Sequence, residues 1–261
     1  DLHYPLRRQR QMCIRDRHSA RPDVAPASPA PTNDGDVMDR YRAQPGTRPT
    51  TPQEAWSALV AGNARFMAGE RAHPHQDIQL RHRLASKQTP FAVFFGCADS
   101  RVAAEIIFDQ GLGDLFVVRT AGHVIDASVL GSMEFAVGLL DVHLIVVLGH
   151  DSCGAVKAAA DAVESGDMPR GYLRDIVERV TPSVLSARKK GATSTFDIER
   201  EHVRHTSRLL ASRSTLISER IAAGTLGIVG AAYRLKEGEA NIVEAIGMEP
   251  RKRVFRDSRG G

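Results

Sequence analysis

The chain has 261 residues, 42% hydrophobic and 25% charged, a balance that fits a soluble globular protein and excludes collagen, a coiled coil or a wholly disordered chain. The longest uninterrupted aliphatic run, Leu144 to Leu148, falls far short of the ~20 residues of a membrane helix. The formal net charge of +4 is unevenly placed: residues 1–50 hold nine Arg and six Asp, a net +3, leaving +1 for the rest. The folded part therefore lacks the basic footprint of a nucleic-acid binder, and neither nucleic acid nor membrane is an expected partner.

Seven of the thirteen prolines lie in the first fifty residues without a periodic apolar pattern, so residues 1–50 read as a disordered arm. Within it, Met12 to Arg17 resembles what one reading frame of a sequencing adapter encodes. Residues 1–17 are thus expected to be an assembly artefact and Met38 the true start. No apolar core of the ~7–15 residues a secretory signal needs follows Arg7, Arg8 and Arg10. The three cysteines, Cys13, Cys97 and Cys153, are too few and too odd in number for a disulfide framework. They suit a reducing compartment, and a cytoplasmic protein is expected.

The folded domain is expected over 51–248, with a frayed tail over 249–261. Thr51-Pro52-Gln53-Glu54 has the signature of a helix start: a capping threonine, proline at the first helical position and a glutamate for a capping box. Trp56, Leu59, Val60, Phe66 and Met67 follow at helical spacing. A second helix is expected over 77–86. Short apolar runs then alternate with helical patterns: a strand at 91–95 and a helix over 103–109, a strand at 115–118 and a helix over 124–140, a strand at 144–148 and a helix over 154–164. Because these runs are apolar at every position, both sheet faces should be covered. The alternation means an α/β fold around a mainly parallel sheet. Helices over 172–187, kinked or restarted at Pro182, and over 197–222 come next. Strands at 226–233 and 241–244, the last a small antiparallel edge strand, close the domain.

In open parallel sheets, ligands bind at the carboxyl ends of the strands. There the first strand carries Gly96-Cys97-Ala98-Asp99-Ser100-Arg101, and the third carries Gly149-His150-Asp151-Ser152-Cys153-Gly154. Two thiolates and an imidazole with a further position open make a zinc set. The residues alone also allow buried packing cysteines, or a cysteine nucleophile with His150 as base. His202 and His205 read as an exposed helix face. His123 reads as a structural histidine or a proton shuttle.

Cys97-x-Asp99-x-Arg101 followed by His150-x-x-Cys153 resembles the signature of the β-class carbonic anhydrases. The likeness extends through Gln88, Phe116-Val-Val-Arg119 and Ala121-Gly122, covering about Trp56 to Gly247. It implies one Zn2+ per subunit on Cys97, His150 and Cys153, with Asp99 either the fourth ligand or, when released, the partner of Arg101. It further implies substrate contacts by Gln88, Phe116, Ala121 and Gly122, and a homodimer or homotetramer embraced by the N-terminal helix. Thr120 and His123 are departures, standing where many relatives carry asparagine. The implied reaction is the reversible hydration of carbon dioxide to bicarbonate and a proton by a zinc-bound hydroxide, gated by the Asp99–Arg101 dyad. The rival readings are a carbonyl sulfide or carbon disulfide hydrolase on the same scaffold, and a non-catalytic zinc protein serving assembly or sensing.

Overall fold

The computed structural model describes residues 48–249. The expected artefact, the start at Met38, Cys13, and nearly all of the arm and tail lie outside the described residues. Helix α1 (Pro52–Ala68) starts as its sequence suggests. Thr51 accepts a hydrogen bond from the Glu54 N–H, and Pro52 stands where no donor is required. The Glu54 carboxylate reaches back to the Thr50 N–H instead of closing the box on Thr51. Helix α2 (Ile78–Leu84) is capped by Asp77 and buries none of its residues.

The remaining elements are β1 (Ala92–Cys97), α3 (Ala104–Ile107), β2 (Leu115–Thr120), α4 (Ala127–Leu139), β3 (Leu144–His150), α5 (Gly154–Ser165), α6 (Leu173–Lys189), α7 (Thr195–Arg213), α8 (Thr215–Ala222), β4 (Gly227–Arg234) and β5 (Glu239–Ile246). They build a five-stranded sheet of order β2-β1-β3-β4-β5, parallel except for the antiparallel β4–β5 pair. Val93, Phe95, Ile145 and Val147 face a cluster with Met133, Val137 and Leu210; Phe94, Leu144, Val146 and Leu148 face one with Trp56, Leu59 and Phe108. Both faces of β1, β3 and β4 are thus covered, which explains their unbroken apolar runs.

Three expectations are corrected. Strand β2 is not fully covered: it is an edge strand whose residues are half-buried or exposed. Leu115 touches the cluster on one face and Phe116 and Val118 the cluster on the other, but none of the strand's residues is buried. Helix α6 runs through Pro182 without a restart. Val177, Val180 and Val184 are buried in one cluster with Val156 and Ala159 of α5, so the helix is packed on both sides of the proline. The single helix expected over 197–222 is two, divided at Ser214. That residue is extended (ψ 117°), caps α8 by accepting from the Ile217 N–H, and donates to Glu134 at 2.7 Å.

Candidate metal centre

Register brings the two halves of the motif together. Gly96 of β1 pairs with Leu148 of β3, so the carboxyl ends of both strands emerge side by side. Cys97 closes β1 and His150 closes β3. Cys153 follows as the cap residue of α5, where the positive end of the helix favours a thiolate. All three are buried, and a ligand atom from each lies within 4.8 Å of the others.

The donor set fits zinc. The His150 Nδ1–H donates to the Asp151 carbonyl at 2.8 Å, which leaves the Nε2 lone pair free. That Nε2 is buried and has no hydrogen-bond partner among the described residues. The adjacent Cys153 thiol holds Cys97 down to about 4, with His150 and the Gly122 N–H helping against burial; the same pairing and burial push Cys153 well above the thiol range. Two buried sulfurs that cannot both ionise unaided call for a cation between them.

Asp99 stands beside this set, its Oδ2 4.0 Å from His150 Nε2. Arg101 grips it with two parallel bonds, Nε to Oδ1 at 2.9 Å and Nη2 to Oδ2 at 2.7 Å, and adds its backbone N–H to Oδ1 at 2.9 Å. These bonds hold the Asp99 carboxyl well below the usual range. Arg101 also donates to the Ser152 carbonyl at 3.3 Å, tying the two motif halves together.

Of the residues implied to touch substrate, Gly122 reaches the cluster: it lies with Ala121 in a tight turn after β2, and its N–H donates to Cys97 Sγ at 3.3 Å. Gln88 and Phe116 are not brought there within one chain. Gln88 is exposed ahead of the amino end of β1. Phe116 pairs with Val93 near that same end and stacks on Phe135 at 6.1 Å. Of the two departures, Thr120 donates to the Val124 carbonyl at 2.9 Å. His123 is fully buried, held well below its ordinary pKa by burial, and neither ring nitrogen has a hydrogen-bond partner among the described residues.

Several residues around the site were missed by the reading of the chain. Arg119 donates from Nε to the Cys97 carbonyl at 2.9 Å and from Nη2 to the Asp99 carbonyl at 2.6 Å, clamping the first motif from the neighbouring strand. Glu199 of α7 is buried and accepts the His150 backbone N–H at 3.1 Å; burial pushes its carboxyl up to about 8. His202, one turn on, is buried and not on an exposed face. The available signal was polar residues inside the apolar stripe of α7, set by Ile198, Val203 and Leu210.

Residues 92–240 match the family model described as "Carbonic anhydrase". The chain is 60% identical over 198 residues to "Carbonic anhydrase 2" of Mycobacterium tuberculosis, covering 76% of this chain and 96% of that one. It is 57% identical, with the same coverage, to the carbonic anhydrase of Mycolicibacterium smegmatis. Among solved structures it resembles a tetrameric β-carbonic anhydrase of the ascomycete Sordaria macrospora, with a TM-score of 0.58 and 26% identity over 71% of this chain and 94% of that one. With two thiols and an imidazole converging at the strand ends and these likenesses along most of its length, the chain belongs to the β-carbonic anhydrase family.

Proposed function

We propose that this protein is a zinc-dependent carbonate dehydratase, catalysing the reversible hydration of carbon dioxide to bicarbonate and a proton. The observation that carries the reading is the combination of three converging soft and borderline donors with an acid that an arginine holds aside. A purely structural zinc site keeps four protein ligands, whereas here the fourth carboxylate is engaged elsewhere. When bound, zinc supplies Lewis-acid acidification of water, making it a nucleophile toward carbon dioxide.

The protein's own groups do the rest. Cys97, His150 and Cys153 hold the metal, and the Asp151 carbonyl fixes the His150 tautomer. Two thiolates cancel the charge of the cation, so water is acidified less than by three imidazoles, whose sites reach a water pKa of ~7. Asp99 compensates by accepting a hydrogen bond from the reacting water, and Arg101 keeps it in that role. Were Arg101 to release it, the Asp99 carboxylate would be available as a fourth zinc ligand, the more so at low pH, where water keeps its proton.

The protein works as a homo-oligomer. Helix α2 buries nothing within one chain, β2 is an open edge, and Phe135 and Leu139 of α4 are 44% and 73% exposed, a surface that a second copy would cover. Substrate roles for Gln88 and Phe116 then fall at the interface, contributed across it. Two buried thiols that must stay reduced favour the cytoplasm. No helix among the described residues is long and apolar enough to cross a membrane.

The test is stopped-flow hydration of carbon dioxide across pH on protein of measured zinc content, with carbonyl sulfide turned over in parallel. One zinc per subunit and activity rising with pH are expected. Stoichiometric zinc without hydration at any pH would leave only the non-catalytic reading, and faster turnover of carbonyl sulfide would leave the hydrolase.

A further inference from the structure

The geometry points to His202 of α7 as a positioning residue for the metal: we propose that it holds Gly122 so that the Gly122 N–H stays on Cys97, and thereby sets how tightly zinc is retained. The proposal rests on the zinc reading above. It begins with the turn after β2, where two successive residues are left-handed, Gly122 at φ 62° and His123 at φ 40°. A non-glycine residue there is strained and persists only if its surroundings over-determine it. Gly122 also has no room for a side chain, since a Cβ would lie 2.7 Å from the Ala155 Cβ.

Among the described residues, two side chains hydrogen-bond the backbone of this turn, both at Gly122. Cys97 Sγ accepts the Gly122 N–H at 3.3 Å, and His202 Nε2 lies 2.8 Å from the Gly122 carbonyl. A carbonyl only accepts, so Nε2 carries the proton and Nδ1 the lone pair. Ser183 Oγ supplies the donor for that lone pair at 2.9 Å. The ring is therefore locked in tautomer and orientation from both sides, and it is buried in both directions. The His123 ring packs on it with centroids 4.4 Å apart but makes no hydrogen bond of its own among the described residues. Its Nδ1 lies 3.6 Å from Glu199 Oε1, beyond hydrogen-bond reach, so that ring does not replace His202 as an anchor.

The same helix holds the other half of the motif: Glu199, one turn earlier, accepts the backbone N–H of His150. Helix α7 thus steadies both ligand-bearing segments through backbone groups, without a ligand of its own. Without the Nε2–H donor, the Gly122–His123 peptide is free to relax out of its strained turn and carry the Gly122 N–H off Cys97. Cys97 Sγ then loses the hydrogen bond that helps fix where its lone pairs point, and the ligand set is held less firmly around the metal.

The experiment compares full-length wild type, His202→Leu and His202→Gln. The glutamine places an amide N–H near the position of Nε2; the leucine keeps volume without a donor. Zinc stoichiometry, the rate of zinc release to a chelator, and the sulfur-to-metal charge-transfer band of the cobalt-substituted protein are read. Leucine should release zinc ~10-fold faster, the scale of lost outer-shell partners, and shift the band; glutamine should stay near wild type in both. Leucine behaving as wild type overturns the proposal, as does glutamine losing zinc as fast as leucine. Should the leucine variant fail to fold by circular dichroism, Ser183→Ala takes its place, and zinc release no faster than from His202→Gln overturns the proposal. Wild type without stoichiometric zinc overturns the zinc reading beneath it, which separates the two failures.

Discussion

Gly149 precedes the ligand His150 and shows how closely the helix behind the site approaches the strand. A Cβ there would lie 2.2 Å from Glu199 Oε1 and 2.5 Å from Val203 Cγ2, both far inside van der Waals contact. Glu199 is 1% exposed and Val203 fully buried, so neither has solvent to retreat into. Gly149→Ala therefore forces α7 outward or turns Glu199 off the His150 N–H. Overpacking of this kind costs about 1–3 kcal/mol, and a buried donor left unsatisfied adds about 1–3 kcal/mol. The expected destabilisation is about 2–6 kcal/mol, or a fall in Tm of roughly 4–24 °C for a domain this size. Thermal and urea unfolding of chelator-treated protein measure it. Adding Glu199→Ala removes the nearer obstacle, so the double variant should lose less than the sum of the two single ones. A Gly149→Ala protein within about 0.5 kcal/mol of wild type would refute the close approach on which this rests.

Arg101→Ala should leave Asp99 free to occupy the fourth position and remove most hydration activity at every pH while zinc content stays at one per subunit; wild-type rates would sink the gating account. Cys153→Ser should lose stoichiometric zinc and all activity, which elemental analysis reads directly, and retained metal would contradict the ligand set. Burial lowers the His202 pKa to about 4, so in zinc-free protein the unfolded chain binds that proton first as pH falls. Stability is therefore lost between about pH 6.5 and 4, by about 3 kcal/mol for this one group. The difference between wild-type and His202→Gln unfolding curves isolates it, and parallel curves would show that His202 does not titrate there. Ser214→Ala removes the α8 cap and the bond to Glu134; a loss of about 1–2 kcal/mol is expected in urea unfolding, and no loss would mean the division between α7 and α8 does not depend on that hydroxyl.

The strands and the convergence of Cys97, His150 and Cys153 were legible because their signals are local. Continuous apolar runs mark β1 and β3, and Cys97, Asp99, Arg101, His150 and Cys153 sit within a few residues of the ends of those runs. Capping was legible for the same reason, as Thr51 shows. The break at Ser214 was not: the amphipathic pattern continues across it, and the bond that ties the serine hydroxyl to Glu134 spans eighty residues of sequence. Nor was the half-exposed state of β2, whose apolar run matches those of its neighbours although it lies at the sheet's edge.

Side-chain chemistry at two strand ends, read in order along the chain, was enough to define the donor set, the acid beside it and the parallel sheet that carries them. Tertiary packing alone decided how that set is held. Glu199 and His202 acquire their roles through backbone groups of His150 and Gly122 that lie 49 and 80 residues away, and Ser183 acquires its role through the His202 ring; no spacing rule links them. The physical reason is that a buried polar side chain must find a partner, but which partner it finds depends on where the helix docks.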